Sequence, residues 1–264
     1  MDNPTPKIKE FLLDLFFPKF CLGCQKEGTY LCDDCRALLD IAEFDYCLCE
    51  TKPIRLACFD ATQHKSLAQG KPQAKCDRCK EKELSGLYSA LPYKDNQLTK
   101  NLIYQFKYQP YLKDLAKTLA SILIEHFVLA KKNTDEIWEN SILVPIPLDK
   151  KKLKTRGYNQ SEELAKELSK ILLIPVVSDI LVKVKNTKPQ MELTKTGREK
   201  NLQGAFAVKP AFASELRRSK VFLVDDVYTT GSTMQECAKV LKEAGAKQVW
   251  GIVLAREELH FTLP

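Results

Sequence analysis

The sequence predicts an α/β protein with a doubly wound, mostly parallel sheet, preceded by a small cysteine-rich head. Nine of the ten cysteines lie before residue 80, so the chain divides into two parts of different composition. From residue 86 onward, apolar runs typical of buried strands alternate with segments of helical periodicity, the pattern of a parallel sheet flanked by helices. One apolar run, residues 221–224, ends in two adjacent aspartates and a loop rich in Thr, Gly and Ser.

Length and composition fit a globular protein of about two domains. The chain has 264 residues, of which 44% are hydrophobic and 28% charged. We place the boundary between residues 1–85 and 86–264. The net charge of +7 is unevenly placed, because residues 150–156 hold four lysines and one arginine. Such a run is usually a solvated loop, and beside a phosphate site it favours contact with an anion or a nucleic acid.

The first apolar segment, residues 8–17, has the stripe of an amphipathic helix and is too short to span a bilayer. It contains acidic residues and no signal-peptide cleavage pattern, so we expect a cytoplasmic protein with no transmembrane segment. Docking on the protein itself is the favoured interpretation, and association with a membrane surface or a partner is the alternative. Ten cysteines in a reducing compartment indicate a metal.

Two Cys-x-x-Cys pairs, separated by seven residues, predict a first metal site. Each pair presents two thiolates from a tight turn, and four thiolates are the ligand set of a structural zinc ion. The predicted ligands are Cys21, Cys24, Cys32 and Cys35. A small head with few other core residues would need this metal to fold.

A second zinc site is left open. Cys76 and Cys79 form a regular pair, but Cys47 and Cys49 are one residue closer than usual, and Cys58 is an alternative ligand. The tenth cysteine, Cys237, lies within a predicted helix and is interpreted as a core residue.

The remaining elements follow in chain order. Strands are predicted over residues 87–93, 141–147, 176–184, 220–226 and 248–256, and helices over residues 98–106 and 112–131, after Asn159, and before Gly245. Residues 185–204 are polar and basic without apolar periodicity, which is typical of a functional lid or of a disordered insertion.

The acidic pair and the loop after it predict a ligand site. Asp225 and Asp226 offer acceptors for hydroxyl groups, and Thr233 with Glu236 predicts a capping box at the start of a helix. Backbone N–H groups at a helix N-terminus bind phosphate. A ribose 5-phosphate carries both hydroxyls and phosphate, whereas an ordinary strand–turn–helix would not need the acidic pair.

Residues 221–233 closely resemble the signature of type I phosphoribosyltransferases, which bind phosphoribosyl pyrophosphate. The resemblance implies that Asp225 and Asp226 contact the ribose 2- and 3-hydroxyls. The residues that it implies for the 5-phosphate are Thr229, Thr230, Gly231, Ser232 and Thr233.

Nearly the whole chain resembles the ComF family of competence proteins, which have a double zinc ribbon before a phosphoribosyltransferase domain. The motifs, in order, are residues 144–148, 156–160, 190–206 and 221–233. The resemblance implies that residues 147–157 hold pyrophosphate, with Lys154 and Arg156 beside Mg²⁺, and that residues 185–204 are a mobile hood. The spacing of Cys47 and Cys49 departs from a regular second ribbon.

This resemblance implies a role in natural transformation, handling incoming single-stranded DNA with a helicase-like partner. Aromatic and basic residues suited to stacking and phosphate contact alternate over one short segment: Tyr104, Phe106, Lys107, Tyr108 and Tyr111. Two alternatives stay open. One is an active phosphoribosyltransferase on an unidentified base or amine, and the other is a metabolite-sensing regulator of nucleic acid.

Overall fold

The computed structural model describes residues 18–43, 48, 79–94, 96–108, 110–132, 135–185 and 201–257. Several predicted features lie outside these residues: the helix over 8–17, residues 186–200 of the lid, and Cys47, Cys49, Cys58 and Cys76.

The described chain alternates strands and helices after a short helix in the cysteine-rich head. The helices are α1 (Asp33–Arg36), α2 (Gln97–Lys107), α3 (Leu115–Leu129), α4 (Asp135–Trp138), α5 (Lys150–Arg156), α6 (Gln160–Leu172), α7 (Ala213–Arg218) and α8 (Ser232–Glu243). The strands are β1 (Gly86–Pro92), β2 (Ser141–Pro145), β3 (Leu181–Lys183), β4 (Phe206–Val208), β5 (Lys220–Tyr228) and β6 (Val249–Arg256).

Four strands form a parallel sheet in the order β1-β6-β5-β2. The predicted mostly parallel sheet is therefore confirmed. The strands have apolar residues on both faces because helices cover the sheet on both sides, as expected for parallel strands. A separate antiparallel pair, β3 and β4, packs beside α8.

Each face of the sheet has its own core. Phe222 and Val224 of β5 pack with α2, α3, α6 and the cysteine-rich head. Val221 and Leu223, which alternate with them, pack with α7, α8 and the small antiparallel pair. Cys237 of α8 is fully buried in this second core, as predicted.

Two predicted elements are wrong in type or extent. The basic run was expected to be a loop, but it forms α5, because Asp149 caps its first turn at Lys151 N (2.9 Å) and Gly157 ends it at φ 78°. The strand predicted over residues 176–184 is reduced to β3, with one isolated bridge between Val176 and Leu143.

Candidate functional site

The predicted acidic pair lies inside β5, at the carboxyl ends of the parallel strands. β2 pairs with β5 as far as Val224, opposite Pro145. β5 then continues to Tyr228, still paired with β6, so Asp225 and Asp226 lie beyond the end of β2. The predicted strand, residues 220–226, is therefore two residues too short, and Asp226 within it is only 8% exposed. Open α/β sheets bind their ligands at this edge.

The two carboxylates have different partners. Asp225 Oδ1 accepts hydrogen bonds from Ser161 Oγ and from the backbone N–H of Asp226, both at 2.9 Å. Asp226 Oδ1 lies 2.8 Å from the ammonium of Lys107, the last residue of α2. Three elements, β5, α2 and α6, therefore meet at this pair.

Burial and neighbouring charges shift the pKa values of Asp225 and Lys107. Burial, together with the negative charge of Asp226, raises the pKa of Asp225 to about 7, although Lys107 and the hydrogen bonds from Asp226 and Ser161 act in the opposite direction. Burial disfavours the charged form of Lys107, but the carboxyl groups of Asp226 and Asp225 together outweigh burial and raise the pKa of this lysine. Near pH 7 the site therefore holds a charged Lys107, and the carboxyl of Asp225 can exchange its proton.

The loop after β5 leads directly into the N-terminus of α8. Gly231 precedes the helix with φ 76°, in the left-handed region, and a Cβ there would lie 2.1 Å from Tyr228 Oη. The hydroxyls of Thr230 and Ser232 are 2.8 Å apart, and Ser232 N donates to Thr230 Oγ1 (3.4 Å). The partly exposed residues of the loop are Thr229, Thr230 and Thr233.

The predicted capping box at this helix is wrong. α8 begins at Ser232, one residue before Thr233, with Gly231 as its N-cap and no side-chain cap. The carboxylate of Glu236 instead accepts a hydrogen bond from the backbone N–H of Gly204 (2.7 Å). This contact ties the end of the predicted lid to α8.

The predicted diphosphate residues are on α5. Arg156 donates to Gln160 Oε1 (2.9 Å), and its guanidinium lies 5.4 Å from the ring centroid of Tyr108. Gln160 in turn donates to the carbonyl of Phe106 (3.3 Å), the residue before Lys107. Arg156 thus belongs to the network around the acidic pair, whereas Lys154 is exposed on α5.

The structure separates the predicted aromatic and basic cluster into two parts. Phe106 is fully buried and Lys107 faces Asp226. Tyr104 and Tyr108 are 55% and 39% exposed, with ring centroids 5.0 Å apart. Together with Arg156, they form one surface, which we call the tyrosine platform.

The first four predicted cysteines come together. The Sγ atoms of Cys21, Cys24, Cys32 and Cys35 all lie within 4.8 Å of one another, with Cys32 3.6 Å from Cys21 and 3.5 Å from Cys24. Four sulfurs at 2.3 Å from a tetrahedral zinc ion are about 3.8 Å apart, so the cluster fits that ion. A Cβ on Gly23 would lie 2.6 Å from Cys35 Sγ, so this position requires glycine.

Backbone N–H groups also lower the pKa of one of these thiols, that of Cys21. Burial raises the pKa of Cys21, but N–H groups of Cys32, Cys24 and Gly23 outweigh burial and lower it to about 6. Cys32 N lies 3.4 Å from this sulfur. Of the second predicted quartet, only Cys79 is described, and it is buried.

The cluster is docked on the helices of the sheet domain. Asn101 of α2 donates to the carbonyl of Leu22, which lies between the first two cysteines (2.7 Å). Arg36 pairs with Glu125 of α3 (2.6 Å) and donates to Ser121 Oγ (2.8 Å). Three of the four cysteines are part of the core on this face of the sheet.

Comparison with known proteins matches this architecture. The model of the family described as phosphoribosyl transferase domain matches residues 154–258. The chain is 37% identical to Competence protein F of Haemophilus influenzae over 58% of this chain and 67% of that protein. It is 30% identical to DNA utilization protein YhgH of Salmonella typhi, over 83% of this chain and 95% of that protein. Competence protein ComFC of Streptococcus pneumoniae is 27% identical over 83% and 92% of the two chains.

The parallel sheet, the matched domain and the cysteine cluster define a type I phosphoribosyltransferase-like fold with an N-terminal candidate metal centre. The relatives match most of both chains. The protein belongs to the ComF family of competence proteins.

The sequence did not predict two residues of the site. Ser161 directly follows the motif over residues 156–160, and Lys107 was predicted only as a DNA contact. Each contacts the acidic pair from a separate helix. No helix in the described parts of the chain has the length and apolar character to cross a membrane.

Proposed function

We propose that this protein binds phosphoribosyl pyrophosphate at the end of β5 and handles incoming single-stranded DNA in the cytoplasm during natural transformation. The observation that carries this proposal is the acidic pair, held between Ser161 and Lys107 next to the glycine-containing loop that opens α8. The names of the relatives, which refer to competence and DNA utilization, support the second half.

The acidic pair and the loop would divide the ligand between them. Asp225 and Asp226 would accept hydrogen bonds from the ribose hydroxyls. The N–H groups of residues 229–233, at the positive end of α8, would bind the 5-phosphate. Lys154 and Arg156 of α5 would contact the diphosphate. When bound, Mg²⁺ would supply charge neutralisation to the diphosphate oxygens.

Zinc is the metal proposed for the four-cysteine cluster, because the sulfur separations fit a tetrahedral thiolate site. We also propose that residues 1–85 and 86–264 are the two sequence domains. The metal-bound cluster would then hold the head against α2 and α3 of the ligand-binding domain.

The tyrosine platform supports single-stranded DNA as a partner. Exposed aromatic rings stack on bases regardless of sequence, and nearby cations contact the phosphates. Tyr104, Tyr108 and Arg156 offer both, and α5 adds three further basic side chains before Lys154. A helicase-like competence protein is the partner that would move the strand.

Phosphoribosyl transfer is the second candidate function. One observation favours it: a carboxyl group whose pKa is about 7, that of Asp225, can exchange a proton near neutral pH. Incubating the zinc-loaded protein with labelled phosphoribosyl pyrophosphate, Mg²⁺ and each common base or ammonia would detect pyrophosphate release. Release that depends on one acceptor would support an enzyme.

The DNA proposal is tested by fluorescence anisotropy of a labelled oligothymidine, with and without phosphoribosyl pyrophosphate. Tyr104→Ala with Tyr108→Ala should weaken binding about tenfold or more, because each stacked base contributes about 1–3 kcal/mol. Tyr104→Phe with Tyr108→Phe is the matched control, since it keeps both rings. Equal affinity of the alanine variant and the wild type would reject the platform, and no affinity in the wild type would reject DNA handling.

A further inference from the structure

Lys107 occupies a position that the proposed ligand does not by itself explain. Its ammonium lies 2.8 Å from Asp226 Oδ1, and the two side chains are only 23% and 11% exposed. A lysine at this depth would lower the negative charge that the acidic pair presents to a ligand. The ligand proposed for this site carries several negative charges, so this effect bears directly on binding.

The structure holds this lysine in place through the backbone of α2. The carbonyl of Phe106 accepts hydrogen bonds from Tyr158 Oη (2.7 Å) and from Gln160 Nε2 (3.3 Å). Phe106 itself is fully buried. The last turn of the helix is therefore held at the carbonyl of Phe106, and its C-terminal end favours a positive side chain. The packing of α2 thus directs the side chain of Lys107 toward the acidic pair.

Two other cations have partners away from the acidic pair. Arg156 contacts Gln160 and Tyr108, and Lys113 pairs with Glu163. Among the described residues, Lys107 is the ion-pair partner of Asp226. Removing its charge would leave a nearly buried carboxylate that needs a proton or a metal cation.

We propose that Lys107 is a specificity-determining residue of the ligand site: its ammonium is the resident counter-cation of Asp225 and Asp226. It lets two carboxylates bind the hydroxyls of an anionic sugar phosphate without a divalent cation at the carboxylates. This role rests on the proposed function and concerns the acidic pair alone, since the diphosphate keeps its own need for Mg²⁺.

Ribose 5-phosphate separates the two sources of metal dependence, because it has the hydroxyls and the 5-phosphate but no diphosphate. The full zinc-loaded chain is titrated calorimetrically with this probe in resin-treated buffer free of divalent ions, and again with excess Mg²⁺. A chelator is avoided because it would also remove zinc from the cysteine cluster. The wild type should bind with the same affinity, within about twofold, in both buffers.

Lys107→Met and Lys107→Gln should bind ribose 5-phosphate about tenfold more weakly without Mg²⁺ and regain most of this affinity with it. Lys107→Arg keeps the charge and should keep binding that is independent of Mg²⁺. Lys113→Met removes a lysine that pairs with Glu163 and should behave as the wild type. Zinc content and the unfolding transition confirm that each variant is folded, and the glutamine variant replaces the methionine variant if the latter is not.

Three outcomes would overturn the assignment. Binding by the methionine and glutamine variants that equals the wild type in both buffers would remove any role of the charge. A loss of the same size in both buffers would indicate packing alone. A wild type that needs Mg²⁺ for ribose 5-phosphate would show that Lys107 does not neutralise the pair. A wild type that binds neither this probe nor phosphoribosyl pyrophosphate would instead reject the proposed function, and this role with it.

Discussion

At the scale of single residues, the protonation of Asp225 is coupled to the stability of the fold. Its pKa is about 7 in the folded protein and 3.8 for the ordinary group, chiefly because of burial and the neighbouring carboxylate. The folded chain thus binds this proton more tightly than the unfolded chain does. The resulting stabilisation is fully present below about pH 4 and is lost as the pH rises through about 7.

Asp225→Asn should therefore be more stable than the wild type at pH 8, by about 2–4 kcal/mol in the free energy of unfolding. Its amide oxygen can still accept the hydrogen bond from Ser161. The difference should shrink as the pH falls from 8 to 5, which denaturant unfolding at a series of pH values would measure. Asp226→Asn is the control: it removes the partner of Lys107 and should destabilise at every pH in this range. A difference for Asp225→Asn that does not vary with pH would contradict the account.

At the scale of elements, α2 connects the two candidate sites. Asn101 binds the backbone of the first cysteine pair, and Lys107, six residues later, faces the acidic pair. Between them Leu102, Ile103 and Phe106 are fully buried, each contributing about 1.5–3 kcal/mol to the hold of the helix on the core. A displacement of this helix at the acidic pair would therefore also move the end that contacts the cysteine cluster.

Binding of phosphoribosyl pyrophosphate should slow the transfer of zinc from the protein to a chromophoric chelator by about fivefold or more. The reason is that a ligand at the acidic pair would hold the Lys107 end of α2 and so resist displacement of the end that contacts the cysteine cluster. Asn101→Ala keeps all four thiolates and should lose most of this slowing. Gln105→Ala, on the same helix, is the matched control and should keep it. The slowing should also vanish in Asp225→Ala with Asp226→Ala, which excludes chelation by the free ligand. Equal slowing in the Asn101 and Gln105 variants would reject coupling through α2.

Elements were predictable where local chemistry decided them. Cys-x-x-Cys spacing predicted a cluster that the structure brings together, and apolar runs predicted the parallel strands. The basic helix α5 was missed although its caps, Asp149 and Gly157, were readable in the sequence. Lys107 could not be predicted as a partner of Asp226, because the two meet only through the packing of α2 on the sheet.

The capping box failed for a similar reason. The left-handed conformation of Gly231 places the N-cap of α8 two residues before Thr233, and Glu236 accepts a hydrogen bond from Gly204, 32 residues away. The side chain of Glu236 therefore makes the long-range hydrogen bond to Gly204 instead of the local capping-box hydrogen bond. Functional-site residues that depend on such contacts are those that sequence reasoning misses.

At the scale of the whole molecule, the cysteine-rich head and the sheet share one core. Cys21, Cys32 and Cys35 pack in the same cluster as Phe222 and Val224 of the central strand β5. A metal ion bound at the four-cysteine cluster is thus expected to stabilise the sheet as well as the head. Sequence composition alone, which divides the chain near residue 85, did not predict this continuity.

Removing the zinc ion proposed for the cluster should therefore lower the melting temperature recorded by tryptophan fluorescence, by about 5 °C or more. Both tryptophans, Trp138 and Trp250, contact Tyr88 of β1 and so report on the sheet. Cys35→Ser should have the same effect, whereas Cys237→Ala should retain zinc because it lies outside the cluster. A tryptophan-monitored transition that is unchanged without zinc would show that the head is independent.

The central claim, a sugar-phosphate site at the end of β5, is tested most directly by calorimetric titration with phosphoribosyl pyrophosphate and Mg²⁺. The wild type should give a saturable binding curve with one ligand per chain. Asp225→Ala with Asp226→Ala should give none while it keeps its zinc and a cooperative unfolding transition. Unchanged affinity in that double variant, or no binding by the zinc-loaded wild type, would contradict the account.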